Sequence, residues 1–214
     1  MVPELTRIWV DGWALSRRRP RAARTPWGFY IEVDSPGQVG RHVLPDAQGP
    51  LVRAAASSVT VPDTWIKVPM DPDEAAQWLP EGWVADKAET GHLMAVDLSP
   101  THPVAPAGYT ASVETGDGVT HVRVLDAAGA LAAKGQVAHL GRAAVVDRVE
   151  TGQAHRRRGL GGFVMRTLTD RAVAEGADLA VLGATDEGRA LYETLGWKAH
   201  APLAACIYRP QGTS

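Results

Sequence analysis

The run His155-Arg156-Arg157-Arg158-Gly159-Leu160-Gly161-Gly162 carries the residue types of an anion site. Glycines at 159 and 161 remove side chains where the chain tightens, so backbone N–H groups can converge on one point. Three arginines beside those donors supply charge and fork-shaped donors suited to a pyrophosphate. Two other phosphate loops are excluded. The dinucleotide fingerprint G-x-G-x-x-G needs glycine at 164, where this chain has Val164, and no Gly-Lys-Ser/Thr follows as a Walker loop requires.

What remains is Arg156-x-x-Gly159-x-Gly161, which resembles the pyrophosphate loop of the GCN5-related N-acetyltransferases (GNAT), written Q/R-x-x-G-x-G/A. Downstream, Gly188-Arg189-Ala190-Leu191-Tyr192-Glu193-Thr194-Leu195-Gly196-Trp197 is similar to the family's second signature, a helix with Leu-Tyr-Glu that ends in Gly-Phe or Gly-Trp. The two stand in family order, with an apolar strand pattern at 179–182 between them. The resemblance covers about residues 109–210. It implies an α/β (α+β) fold, the GNAT acyl-CoA N-acyltransferase fold: a mixed central sheet with helices on both faces, splayed between its fourth and fifth strands. It also implies acetyl-CoA as cosubstrate, no metal, and direct acetyl transfer to an amine of a small molecule or protein. The acceptor is not legible, because pocket-lining loops decide it. The alternative function is a non-catalytic CoA-binding or sensing module; a pure binder has no need of the phenol at Tyr192.

Transfer from a thioester needs a polarised carbonyl, a neutral amine and a protonated leaving thiolate. The resemblance assigns the pyrophosphate to Arg156, Arg157, Arg158, Gly159, Leu160, Gly161 and Gly162. It assigns the pantetheine arm to the backbone edge of Val149, Glu150 and Thr151, by strand addition. Tyr192 becomes the acid that protonates the thiolate, with a phenol of ordinary pKa near ~10. The family's frequent asparagine seven residues earlier is Thr185 here, a departure at a usual cofactor contact. Glu150 is the candidate base; Asp147, His139, His155 or a water chain are alternatives, and a surface ion pair is the plain reading of either carboxylate. Strict strand alternation places 147 and 149 on one face and 150 on the other. Cys206 reads as a buried structural thiol rather than an acyl carrier.

Composition bounds the partners. A net charge of −2 over 214 residues gives no case for nucleic acid or an anionic membrane as main partner. The single cysteine excludes an internal disulfide, which suits a reducing cytoplasm. No apolar run approaches the ~20 residues needed to span a bilayer, and no signal-peptide pattern opens the chain. Four lysines against many arginines, alanines and glycines point to a GC-rich bacterial source. A homodimer is compatible with all of this, and the oligomeric state stays open.

The elements that must position the loop read as follows. Residues 109–114, 121–125 and 132–140 are meander strands, 143–151 is a fourth, and 160–174 is a helix with Leu160, Val164, Leu168 and Ala172 in one stripe. Residues 179–182 form a strand covered on both faces, a helix carries Tyr192, and 198–209 supply closing strands. Upstream, residues 5–15 are a helix or strand burying Trp9 and Trp13, and 16–24, with five arginines, is a solvated loop. Strands follow at 27–33, 64–68 and 92–98, with helices at 51–59 and after Asp71. The domain reading is 1–98, a Pro-rich linker at 99–107, and a catalytic domain at 108–214. Trp83 and Trp197 are 114 residues apart (197 − 83), as are Gly82 and Gly196, Ala76 and Ala190, and Trp78 and Tyr192. Either 1–98 is a degenerate half of the same fold or these identities are chance.

Overall fold

The computed structural model describes residues 1–210. Its elements in order are α1 (Val2–Ser16), β1 (Ala23–Thr25), β2 (Gly28–Ser35), β3 (Gln38–Val43), α2 (Gly49–Ser58), β4 (Thr64–Val68), α3 (Pro72–Ala76), β5 (Trp83–Ala85) and β6 (Gly91–Asp97). They continue with β7 (Thr110–Gly116), β8 (Val119–Leu125), β9 (Leu131–Leu140), β10 (Ala143–Thr151), a 3₁₀ turn (Gln153–His155), α4 (Leu160–Ala174), β11 (Leu179–Ala184), α5 (Asp186–Thr194) and β12 (Lys198–Tyr208). Two compact units emerge, and no single cut in the chain separates them. One holds Met1–Met94, Gly183–Arg189 and the described residues from Ala199; the other holds Ala95–Leu182 and Ala190–Lys198. The C-terminal strand therefore folds with the first ninety residues rather than with residues 108–198, unlike the linear division read from the sequence.

In the first unit the strand order is β1-β2-β3-β4-β12, with β5 also on β12. β3 and β4 are parallel, joined through α2, and β12 closes antiparallel on β4 from Ala204↔Val68 to Ile207↔Trp65. The core beneath is Leu44, Val52, Ala55, Ile66, Val68, Met70, Trp83 and Cys206 with their neighbours. Cys206 is fully buried, and burial pushes its thiol up to about 12, as fits a structural role. The pair at 9 and 13 is helical. The four-residue spacing puts Trp9 and Trp13 on one face of α1, 6% and 3% exposed. The arginine run is not wholly loop: Ala23–Thr25 pairs with β2, and Arg17 stacks 4.5 Å over Trp13. The strands β1, β3 and β5 carry no clear strand pattern of their own: β1 and β3 are hairpin partners of β2, and β5 is closed by the distant β12.

In the second unit the order is β11-β10-β9-β8-β7, an antiparallel meander with β10 parallel to β11. Helix α4 supplies that crossover, and its stripe Leu160, Val164, Leu168 and Ala172 is at most 1% exposed. Gly135 on β9 makes room for it: a Cβ there would lie 2.7 Å from Val164 and 3.0 Å from Leu168. The Pro-rich segment is anchored rather than loose. Thr101, through N and Oγ1, and His102, through N, donate to the Asp170 carboxylate of α4 at 2.7–2.8 Å. Burial alone would raise that carboxyl, but these hydrogen bonds outweigh it and hold it low.

The splay is visible in the pairing. β10 lies beside β11 only from Ala143↔Leu179 to Val145↔Val181. Beyond that, β10 bulges on its other side: Asp147 opposes Gln136 and Glu150 opposes Lys134, three steps against two, with Arg148 at φ +53. Among the described residues no helix is long and apolar enough to cross a membrane, and no group of three or more His, Cys, Asp or Glu is placed to hold a metal.

Candidate functional site

The arginine loop leaves β10 through the 3₁₀ turn and enters α4. Arg156 is extended (φ −63, ψ 156), Arg157 is left-handed (φ +62), and Gly159 is left-handed again (φ +79) at the helix N-cap. No side chain caps this helix. Among the described residues, the N–H groups of 157–162 find no acceptor in the protein. An uncapped helix start with alternating left-handed residues is a nest of donors at the positive end of a helix dipole. Its lining explains the glycines. Gly159 needs its positive φ, and a Cβ on Gly161 would fall 2.9 Å from Leu191 Cδ2. Leu160 is a core residue, 1% exposed, and can offer only its N–H, whereas the side chains of Arg156, Arg157 and Arg158 are exposed. A left-handed non-glycine such as Arg157 stores strain, a pattern that accompanies ligand sites.

Tyr192 lies in the last turn of α5, 9% exposed, its ring 6.2 Å from that of Trp197. The helix then ends in a left-handed Gly196 (φ +88), with Trp197 N donating back to Tyr192 O at 3.1 Å. Burial first, and then the negative charge of Asp147, push the phenol up to about 12. This differs from the ordinary phenol that the sequence alone implies. At about 12 it stays protonated at neutral pH. It sits roughly 3 units above a free thiol, so proton transfer to such a thiolate runs uphill by about 4 kcal/mol. A thiolate desolvated beside it would be raised by the same burial, which narrows that gap.

The bulge corrects the face assignment on β10. Gln136 and Lys134 are two apart on β9 and share a face, so their partners Asp147 and Glu150 share one too. Val149 is turned the other way, its Cγ2 3.1 Å from where a Gly135 Cβ would sit, among Val164 and Leu168 of α4. Strict alternation fails here because one residue is inserted. Glu150 is exposed and ion-paired with Lys134 at 3.1 Å. Thr151 Oγ1 lies 3.7 Å from the position of a Gly161 Cβ, next to the loop.

The remaining candidates have structural partners. Thr185 Oγ1 caps α5 by accepting from Gly188 N at 3.1 Å, so its hydroxyl is engaged by the helix. His139 Nε2 is hydrogen-bonded with Thr120 Oγ1 at 2.8 Å, and burial lowers its pKa. His155 Nδ1 meets Tyr109 Oη at 3.0 Å. Sequence reasoning missed Tyr109 and the influence of Asp147 on Tyr192. Neither has a local signal, since both act across strands far apart in the chain.

With this geometry in place, the likeness to known proteins is decisive for the fold. The structure matches a GCN5-related N-acetyltransferase from Kribbella flavida with TM-score 0.67, covering 99% of this chain and 96% of that one at 19% identity. The fold is that of the GNAT acetyltransferases. A GNAT-like protein from Streptococcus suis matches with TM-score 0.56, 89% coverage of each chain and 11% identity. A tandem GNAT protein from the clavulanic acid biosynthesis pathway matches with TM-score 0.57, covering 78% of this chain and 69% of that one at 14% identity. Residues 128–206, which include the arginine loop and α5, match the family model described as FR47-like protein. No curated protein has a significant sequence match to the chain.

Proposed function

We propose that this chain is an acetyl-CoA-dependent N-acetyltransferase that moves the acetyl group directly to an amine of a small molecule or protein. The observation that carries the reading is the nest at 157–162, whose unaccepted N–H groups and flanking arginines stand beside a strand pair that opens after Val145. Such a nest fits a pyrophosphate. CoA, when bound, supplies the acyl thioester and the thiolate leaving group. Arg156, Arg157 and Arg158 add charge around the nest, and the backbone of Val149, Glu150 and Thr151 offers a strand edge for the pantetheine amides. Tyr192 Oη holds the proton that the departing sulfur requires. Glu150, oriented by Lys134 and on the same face as Asp147, is the carboxylate assigned to take the amine proton.

The first unit is assigned a supporting role, with one CoA bound per chain. Trp78, 114 residues before Tyr192, has an indole where the acid would stand, and its ring crowds the start of α2: a Cβ on Gly49 would lie 1.9 Å from it. Trp65 and Trp83 are packing anchors, donating to Gly37 O at 2.9 Å and Ala56 O at 3.2 Å.

Native mass spectrometry with CoA, followed by an amine panel read by thiol release from acetyl-CoA, tests the proposal. One CoA per chain and amine-dependent thiol release are expected; a chain that binds no CoA overturns it. A second reading, a CoA-binding module without transfer, is favoured by the upward shift of the Tyr192 phenol, which makes it a poorer proton donor. Binding with no thiol release across the panel would select that reading.

A further inference from the structure

Arg142, in the same unit as Arg158, is held by a carboxylate, that of Asp178. Arg158 is held by a phenol. We propose that Tyr109 and His155, backed by Asp126, brace Arg158 so that its guanidinium is presented to the phosphate-bearing end of CoA with its charge uncompensated. The inference rests on the arginine loop being the CoA phosphate site.

Arg158 Nη1 donates to Tyr109 Oη at 3.2 Å, and that oxygen lies 3.0 Å from His155 Nδ1. The other ring nitrogen, Nε2, is 3.7 Å from Asp126 Oδ2. The donor directions close in one way. A guanidinium only donates, so the phenol oxygen accepts from Arg158 and sends its own proton to Nδ1, which leaves the ring proton on Nε2 facing Asp126. The Tyr109 and His155 rings add an edge contact, centroids 5.7 Å apart at 80°. Asp126 is itself fixed, its Oδ1 accepting from Ala128 N and Ala130 N at 2.9 Å. The brace therefore ties together the start of β7, the β8–β9 turn and the arginine loop.

A phenol orients a cation without neutralising it. Among the described residues no carboxylate pairs with Arg158, and only one of the guanidinium's five N–H donors is engaged, so four remain for an anion. Ordering a long side chain before the ligand arrives removes part of the cost of binding. Tyr109 and His155 act through Arg158 and are positioning residues.

Calorimetric CoA titration of the full chain tests this with Tyr109→Phe, Arg158→Gln and the double variant. Tyr109→Phe should weaken CoA about 5- to 10-fold, Arg158→Gln at least as much, and the double variant no more than Arg158→Gln alone. Unchanged CoA affinity in Tyr109→Phe, or an equal loss in the Arg158→Gln background, overturns the brace, the latter marking a merely structural tyrosine. The ¹⁵N relaxation of Arg158 Nε–H in the unliganded chain is independent of CoA. Its order should fall in Tyr109→Phe, and unchanged order overturns the proposal. If the wild-type chain binds no CoA, the loop assignment fails and the relaxation arm alone decides whether the brace exists.

Discussion

Two strand–helix–strand segments of this chain share a topology and differ at one end. β3–α2–β4 and β10–α4–β11 each carry a parallel pair through a helical crossover. β3 stays on β4 for its last four residues, from Gly40↔Thr64 to Val43↔Lys67, and Leu44 N continues the ladder to Lys67 O at 2.9 Å. β10 leaves β11 after Val145, then bulges at Arg148. The helix starts differ in the same sense. At α2 the Trp78 ring crowds Gly49, whereas at α4 no atom lies within 4 Å of a Cβ on Gly159 and the N–H groups of 157–162 point at no protein acceptor. The proposed anion site thus rests on local departures from regularity, a bulge, an early parting of strands and a left-handed nest, rather than on the crossover itself.

The comparison breaks most severely at the nest. Gly159→Asp places an anion and a side chain at φ +79, and calorimetry should show CoA affinity falling about 10³-fold with the fold retained. Unchanged affinity in a folded variant would return the two helix starts to equivalence.

An acid titration separates the halves next. Burial lowers His42 of β3 to about 4, where its Nδ1 accepts from Trp27 Nε1 at 3.1 Å. Its folded pKa lies below the unfolded value, so its contribution is present above about pH 6.5 and is lost as pH falls through about 4, on the order of 3 kcal/mol. Six of the seven tryptophans, all but Trp197, belong to the first unit, so their fluorescence reports it. The urea midpoint followed this way should drop between those limits in wild type and stay flatter in His42→Gln. Equal slopes would remove His42 as the acid-sensitive element.

Tyr192→Phe keeps the ring and removes the proton. CoA affinity should hold while kcat falls about 10²-fold. An undiminished kcat, with chemistry shown to limit turnover, would discard the acid role; slow product release would otherwise mask the loss. The smallest effect is expected in the other half. Trp78→Ala should cost about 2 kcal/mol in denaturant unfolding, since the indole is half-buried, and leave CoA stoichiometry at one. A second equivalent CoA site in that variant would mean that the indole, and not the missing nest, keeps the first unit empty.

Local patterns in the chain determined a good deal. The bounds of α4 follow from its four-residue apolar stripe and the glycines at its start, and the Gly196-Trp197 ending of α5 follows from the left-handed turn that glycine permits. Asp71 capping α3 through Asp73 N at 2.8 Å is equally local. The 114-residue offset pairs residues 64–68 with 178–182; β4 and β11 are each parallel to a preceding strand, which leaves chance and a degenerate repeat both open.

Tertiary structure alone decided the rest. A short strand such as Trp83–Ala85 exists because the distant β12 pairs with it, a contact that leaves no periodicity behind. The inserted residue at Arg148 turns Glu150 to the Asp147 side, because a one-residue slip inverts every following side chain. The phenol of Tyr192 reaches about 12 because the fold buries it near Asp147, forty-five residues away in the chain (192 − 147), and β12 joins the first unit because its partner is β4. Periodicity and turn chemistry are written in neighbouring residues; pairing, burial and charge proximity arise only when distant ones meet.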